Sequence, residues 1–215
     1  MIASLEPDRL ARYLGQQLMN MFPDDGEHDL QPIVLHAMNR VEHCFSRIKL
    51  PYYRRDGRPY FNHLHSEQYA TFLYFASNTA WWEGDIDLAA KLFGLNKALN
   101  SIICMYDTAL PDIFLIAHSV GIMLGKASYR DYLVVHQNVT VGTDRALQPR
   151  LHEGVVLFGG LAIIGDCDIG SNVSVSAHSL VLNTSIPAGH VVAGRSPSLV
   201  VKPARRVLAE HFFDI

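Results

Sequence analysis

The sequence predicts an α+β protein in two halves: helices over residues 1–108, then a β-solenoid over 109–203, followed by a short C-terminal helix at 204–215. Three observations predict this. The stretch "LHEGVVLFGGLAIIGDCDIGSNVSVSAHSLVL", residues 151–182, returns an aliphatic residue at every sixth position: Leu151, Leu157, Ile163, Ile169, Val175 and Val181. Before about residue 100, apolar residues recur at helical spacing instead. From Ile113 onward that spacing gives way to Gly, Val, Ile, Ser and Asn.

The helical half is justified piece by piece. Leu10, Tyr13, Leu14, Leu18 and Met21 share one helical face, Ile33, Leu35, Ala37, Met38 and Val41 a second, and Phe72, Leu73, Phe75 and Ala76 a third. "FPDDGEHD" (22–29) and "LPYYRRDGRPY" (50–60) interrupt them with Pro, Gly and charge. A further helix is predicted from Ile86 to about Asn100, with Asp85 as its N-cap and Asp87 in its first turn. Pro111, in "CMYDTALPDIF", is expected to stop any helix arriving from the left. His63 and His65 read as ordinary hydrogen-bonded histidines, and Trp81 and Trp82 as core or subunit-contact residues.

In the second half, a six-residue repeat with one aliphatic residue per unit marks a solenoid whose short strands each bury one side chain on a common axis. Gly165, Asp166, Gly170, Ser171 and Asn172 fall at the corners between them, where unusual backbone angles must be tolerated. Followed backward, the row continues through Val141, Val135 and Tyr129, then slips, with Leu124 one residue early. Extended further, it lands on His118 and points that ring inward. "GTDRALQPR" (142–150) interrupts the row and reads as a loop leaving the solenoid. The segment after Val181 is expected to cap the open end with a closing turn, a last strand and a terminal helix.

Composition bounds the function. The chain has 215 residues, 49% of them hydrophobic, enough for a real core. Eighteen Lys+Arg against 21 Asp+Glu, a net charge of -3 without a basic block, argues against nucleic-acid or membrane-surface partners. Neither a signal peptide nor a long apolar span is evident, so a cytoplasmic protein is expected. Cys44, Cys104 and Cys167 are scattered and odd in number, which suggests buried thiols rather than disulfides or a metal site.

Four stretches carry a family likeness: "AHSVGIMLG" (117–125), "VVHQNVTVG" (134–142), the repeats from Leu151 to Val181, and "IPAGHVVAGRSP" (186–197). Through them the chain from about Pro111 to Pro203 resembles the serine O-acetyltransferases of the hexapeptide-repeat, left-handed β-helix acyltransferase superfamily. The resemblance implies a left-handed coil and acetyl transfer from acetyl-CoA to a hydroxyl, with no metal. It makes His118 the general base, since an imidazole titrating near neutrality can take the proton of an alcohol as it attacks a thioester. A backbone N–H or side chain near the loop after Gly142 would serve the oxyanion. By position it makes Gly142, Gly159, Gly160, Ala177 and Arg195 CoA contacts, and Gln137, Arg145 and Gln148 substrate contacts. Because the CoA groove of such enzymes runs between neighbouring solenoids, it also implies a homotrimer.

Two departures stand out. Where the family places a second His, three residues ahead of the first aliphatic of the long run, this chain has Gln148, which can hydrogen-bond but cannot take up a proton. Where the family has the Asp that orients its base, this chain has Ala109, with Asp107 and Asp112 both near enough to substitute. The acceptor is therefore serine or a serine-like amino acid, or a sugar or other hydroxyl metabolite. Two rival classes fit the same architecture: a carbonic-anhydrase-like metal site drawn from His118, His136, His152 and His178, and a catalytically inactive scaffold.

Overall fold

A computed structural model describes residues 1–24, 26 and 28–215. Part of the "FPDDGEHD" break, residues 25 and 27, therefore lies outside the described residues. Four helices make up the first half: α1 (Pro7–Met21), α2 (Leu30–Ser46), α3 (Ser66–Trp82) and α4 (Ile86–Asn100). Leu10, Leu14 and Leu18 bury one stripe of α1, as do Ile33, Ala37, Met38 and Val41 on α2, while Leu35 points outward. Helix α3 is buried along its whole middle, residues 68–80, because α2 and α4 pack on it. Its polar side chains in that setting find partners: Ser77 Oγ donates to Ala89 O at 2.7 Å, and Asn78 Nδ2 to Tyr106 O at 2.7 Å.

Helix α4 starts as its sequence predicts, with the Asp85 carboxylate accepting the Leu88 N–H at 3.0 Å. It stops earlier than Pro111 requires: Ser101 at φ 54° is a left-handed cap that closes on Lys97 O. The "LPYYRRDGRPY" break is itself structured. A 3-10 turn (Pro51–Tyr53) leads into a hairpin, Arg54–Arg55 against Arg58–Phe61, turned at Asp56 and Gly57, both with positive φ. Ile2–Ala3 pairs parallel to the second hairpin strand.

The second half is a parallel β-solenoid with three faces. The first stacks Ile102–Ile103, Ile122–Leu124, Thr140–Gly142, Ala162–Ile164 and Leu180–Leu182. The second stacks Ser128–Tyr129, Arg150–Leu151 and Asp168–Ile169, with Ile186 bridging onto Ile169. The third stacks Phe114–Ala117, Leu133–His136, Val156–Leu157, Ser174–Val175 and the start of His190–Arg195. The six-residue row from Leu151 to Val181 is the buried axis, each member at most 1% exposed.

The slip in the row resolves in register. Ile116 pairs with Val135 and Leu124 with Val141, so Ile116 and Leu124 are the inward residues and stand eight apart instead of six. The extra length is a wider corner, and His118 sits on it, exposed. The ring does not point into the axis, as simple extension of the row would have it.

The closing segment divides into two parts with different jobs. His190–Arg195 and Ser198–Pro203 form an antiparallel hairpin on the last coil. The expected C-terminal helix at 204–215 is instead an irregular strap containing one 3-10 turn, Ala209–His211. It runs back to the helical half, where the buried Phe213 bridges Ile48 and Arg54 pairs with Asp214 at 3.1 Å.

Candidate active site

The corner between the third and first faces holds His118, the residue that the family resemblance marks as general base. His118 has φ 63° and its carbonyl accepts the Val120 N–H at 2.8 Å, so the chain turns sharply and leaves the ring outside. A cavity of about 380 Å³ opens beside it. The solenoid supplies Leu115, Ile116, Ala117, His118 and His136; the helical half supplies Leu50, Tyr52, Tyr53, His65 and Glu67; the strap adds Phe212.

His136 pairs in register with Ala117, which sets the two imidazole centroids 6.4 Å apart. Its ring stacks on Phe158 at 5.0 Å, and its Nδ1 lies 3.0 Å from Leu157 O. A carbonyl only accepts, so Nδ1 carries the hydrogen and, in the neutral ring, Nε2 holds a lone pair. Burial lowers the pKa of His136, and the nearby His118 lowers it further.

Glu67, in the first turn of α3, is the carboxylate of the cavity. Its Oε1 accepts the Ser119 N–H at 3.3 Å, tying the helical half to the residue next to His118. Its Oε2 accepts Ser66 Oγ at 2.9 Å and lies 3.1 Å from His65 Nδ1. The close approach of the His65 imidazole, helped by Ser66 and Ser119 against the cost of burial, holds this carboxyl down to about 2.

Of the residues singled out from sequence, His118, Gln137, Gly159, Gly160 and Ala177 share this one corner in successive coils. Asn138 N bonds to Val120 O, Gly160 N to Gln137 O and His178 N to Gly159 O, at 2.7, 3.0 and 3.0 Å. The two glycines answer packing needs of the stack. A Cβ at Gly159 would come within 2.8 Å of Gln137 Nε2, and one at Gly160, where φ is 74°, within 2.5 Å of the His178 ring. Gly142, Arg145 and Gln148 lie at a different corner, between the first and second faces. The segment there is a tight turn closed by an Asp144–Leu147 bridge. Arg145 and Gln148 are exposed on it, and Arg195 is exposed on the last coil opposite Leu180.

Neither candidate acid is hydrogen-bonded to His118 or lines its cavity. Asp107 pairs with Lys126 at 2.8 Å, and Asp112 is exposed beside Arg40 and His43. Nor do the four solenoid histidines gather: His152 bonds Asp168 at 2.8 Å on the second face. Among the described residues, no group of three or more His, Cys, Asp or Glu is placed to hold a metal ion. The three cysteines are free and buried, and burial pushes the Cys44 thiol up to about 12, which removes it as a nucleophile.

His65, Glu67, Tyr52, Tyr53 and Phe212 are the site residues that sequence reasoning misses. The only available hint is His65 and Glu67 standing two apart at a helix start. Nothing in their spacing announces that α3 meets a solenoid corner 52 residues later.

The solenoid, its helical preface and the corner histidine can be set against known proteins. No protein-family profile matches the chain. Serine acetyltransferase of Staphylococcus xylosus is 30% identical over 97 residues, 43% of this chain and 44% of that protein. The enzyme of Salmonella typhimurium is 32% identical over 91 residues, 40% of this chain and 33% of that protein. The match thus spans less than half the length of these curated relatives. Among solved structures, Neisseria gonorrhoeae serine acetyltransferase superposes with a TM-score of 0.66 at 20% identity, over 93% of this chain and 78% of that one. This chain has the serine acetyltransferase fold. The enzyme from Brucella abortus strain S19 agrees, with a TM-score of 0.64 at 17% identity over 91% of this chain and 76% of that one. The serine acetyltransferase likeness therefore extends beyond the solenoid into the helical half, where no stretch of sequence announces it.

Proposed function

We propose that this protein transfers the acetyl group of acetyl-CoA to the hydroxyl of a small acceptor, with His118 as general base. Serine or a serine-like amino acid is the first acceptor the likeness points to, and a sugar or other hydroxyl metabolite the second. The observation that carries the proposal is the exposed imidazole of His118 on a widened solenoid corner, facing a cavity of acceptor size. Serine acetyltransferases of this fold have been crystallised with CoA and with cysteine, which supports the same two classes of ligand here.

His118 takes the hydroxyl proton while the alcohol oxygen bonds to the thioester carbonyl carbon. The tetrahedral oxyanion then collapses, the carbon–sulfur bond breaks, and the imidazolium returns the proton to the departing CoA sulfur. The ester and free CoA are the products. His136, neutral and with its Nε2 lone pair available, adds a hydrogen-bond acceptor beside the base.

The contacts named from sequence divide between two corners of a triangular coil, so one chain alone does not bring them together. A homotrimer would set the His118 corner of one subunit against the Arg145–Gln148 turn of the next and complete the groove for CoA. Gly159, Gly160 and Ala177 supply its low wall, Gly142 and the turn its far side, and Arg195 reaches the nucleotide end. Asp107 and Asp112 keep an orienting role only through a neighbouring subunit. No helix among the described residues is long and apolar enough to cross a membrane, and a cytoplasmic location fits the metabolic reaction proposed.

The test is thiol release from acetyl-CoA in the presence of serine and a panel of other alcohols. Serine-dependent release supports the proposal; release with none of them overturns it.

A further inference from the structure

The cavity beside His118 holds a second imidazole whose hydrogens are already assigned. His136 stands on the next coil, in register with Ala117, at the end of the strand Leu133–His136. Its Nδ1 lies 3.0 Å from Leu157 O, so that nitrogen carries the hydrogen and Nε2 is an acceptor. The ring stacks on Phe158 at 5.0 Å and lies against Phe212 in a T-shaped contact at 6.2 Å, which holds its plane. Burial and the nearby His118 keep it neutral.

A general base needs such a neighbour. A neutral imidazole has one N–H and one lone pair, and the group that accepts the N–H decides which nitrogen is left as the base. The carboxylate of the cavity is committed elsewhere. Glu67 accepts the Ser119 N–H at 3.3 Å and Ser66 Oγ at 2.9 Å, and its Oε2 faces His65 Nδ1 at 3.1 Å. The His118 and His136 ring centroids are 6.4 Å apart, with planes tilted by 54°. That separation is too wide for a direct bond and within the span of a single water.

We infer that His136 is the positioning residue of the catalytic base: its Nε2 accepts the His118 N–H through one water and leaves the other His118 nitrogen to face the acceptor hydroxyl. This rests on the acetyl-transfer reading and deepens it, by giving the base a partner from its own solenoid where Ala109 replaces the orienting Asp. Protons balance without a change at His136. The hydroxyl proton moves to the free nitrogen of His118, the bridged N–H stays in place, and the imidazolium gives the transferred proton to the departing sulfur.

Two substitutions separate this role from packing. His136→Asn keeps an N–H donor near the Nδ1 position for Leu157 O and loses the acceptor at Nε2; His136→Gln does the reverse. With acetyl-CoA and the best acceptor of the alcohol panel, His136→Asn should lower kcat about five- to tenfold, the range of one hydrogen bond, with KM for acetyl-CoA unmoved. His136→Gln should exceed His136→Asn at least threefold in kcat. The opposite order, or equal loss in both, makes His136 a packing residue and overturns the inference. An unchanged kcat in both variants also overturns it; a loss in Asp107→Asn or Asp112→Asn would then assign the orienting role to a carboxylate from a neighbouring subunit.

Nitrogen-15 NMR of histidine-labelled protein, without acetyl-CoA, tests the pairing apart from the reaction. His136 should show the Nδ1–H tautomer. His118 should show a single tautomer that His136→Gln retains and that His136→Asn lets relax to the mixture of free imidazole. If no alcohol is acetylated yet the His118 tautomer follows His136, the acetyl-transfer reading falls and the pairing stands. If the His118 tautomer ignores His136, the inference falls whatever the reaction.

Discussion

His118 shows how far a single position can be read. The family-like stretch around it names the residue, while the six-residue row, extended blindly, would bury it. Ile116 occupies the row instead, because the corner ahead of Leu124 is two residues wider, and periodicity carries no information about where such a widening falls. The placement makes a sharp expectation. His118→Ala should lower kcat by roughly 10²–10⁴-fold, the range of a general base, while the Kd for CoA, read by calorimetry, stays within error. Equal loss of both would make the ring a packing element. Glu67 marks the opposite case: its role depends on meeting Ser119 across 52 residues, and a one-dimensional pattern holds no trace of that encounter.

Elements with their own local chemistry were the most legible. Helix α4 begins at its Asp cap and ends at Asn100 because the cap, the apolar spacing and the left-handed Ser101 all act within a few residues. Asp85→Ala should therefore cost about 1 kcal/mol, measured as a lower urea midpoint with an unchanged slope. The solenoid ladder was equally plain, since stacking forces each coil to repeat its neighbour. Ile163→Ala, in the middle of the buried row, should cost about 2–5 kcal/mol by the same measurement. The Arg54–Phe61 hairpin is not legible in the pattern although Asp56–Gly57 is a strong turn pair, because its strands are too short to show alternation. The contact between α3 and the solenoid corner has a pH signature. Glu67 falls from an ordinary 4.5 to about 2 on folding, so its stabilisation is complete above about 4.5 and drains away as pH drops toward 2. The Tm gap between the native chain and Glu67→Gln should hold from pH 8 to 5 and narrow below 4.

At the scale of the whole molecule, the division of contacts between two corners makes assembly testable. If a homotrimer completes the site, mixed assemblies of His118→Ala subunits with subunits altered at Arg145 and Gln148 should recover thiol release that neither parent shows. Absence of recovery in verified mixed assemblies would confine the site to one subunit. The strap that carries Phe212 back to the cavity is also a whole-molecule feature, and its position in the chain matters during synthesis. Every rung emerges from the ribosome before the residue that walls the pocket has been made. A nascent chain thus displays the corner imidazole before Phe212 and Phe213 can dock beside Ile48 and wall the cavity.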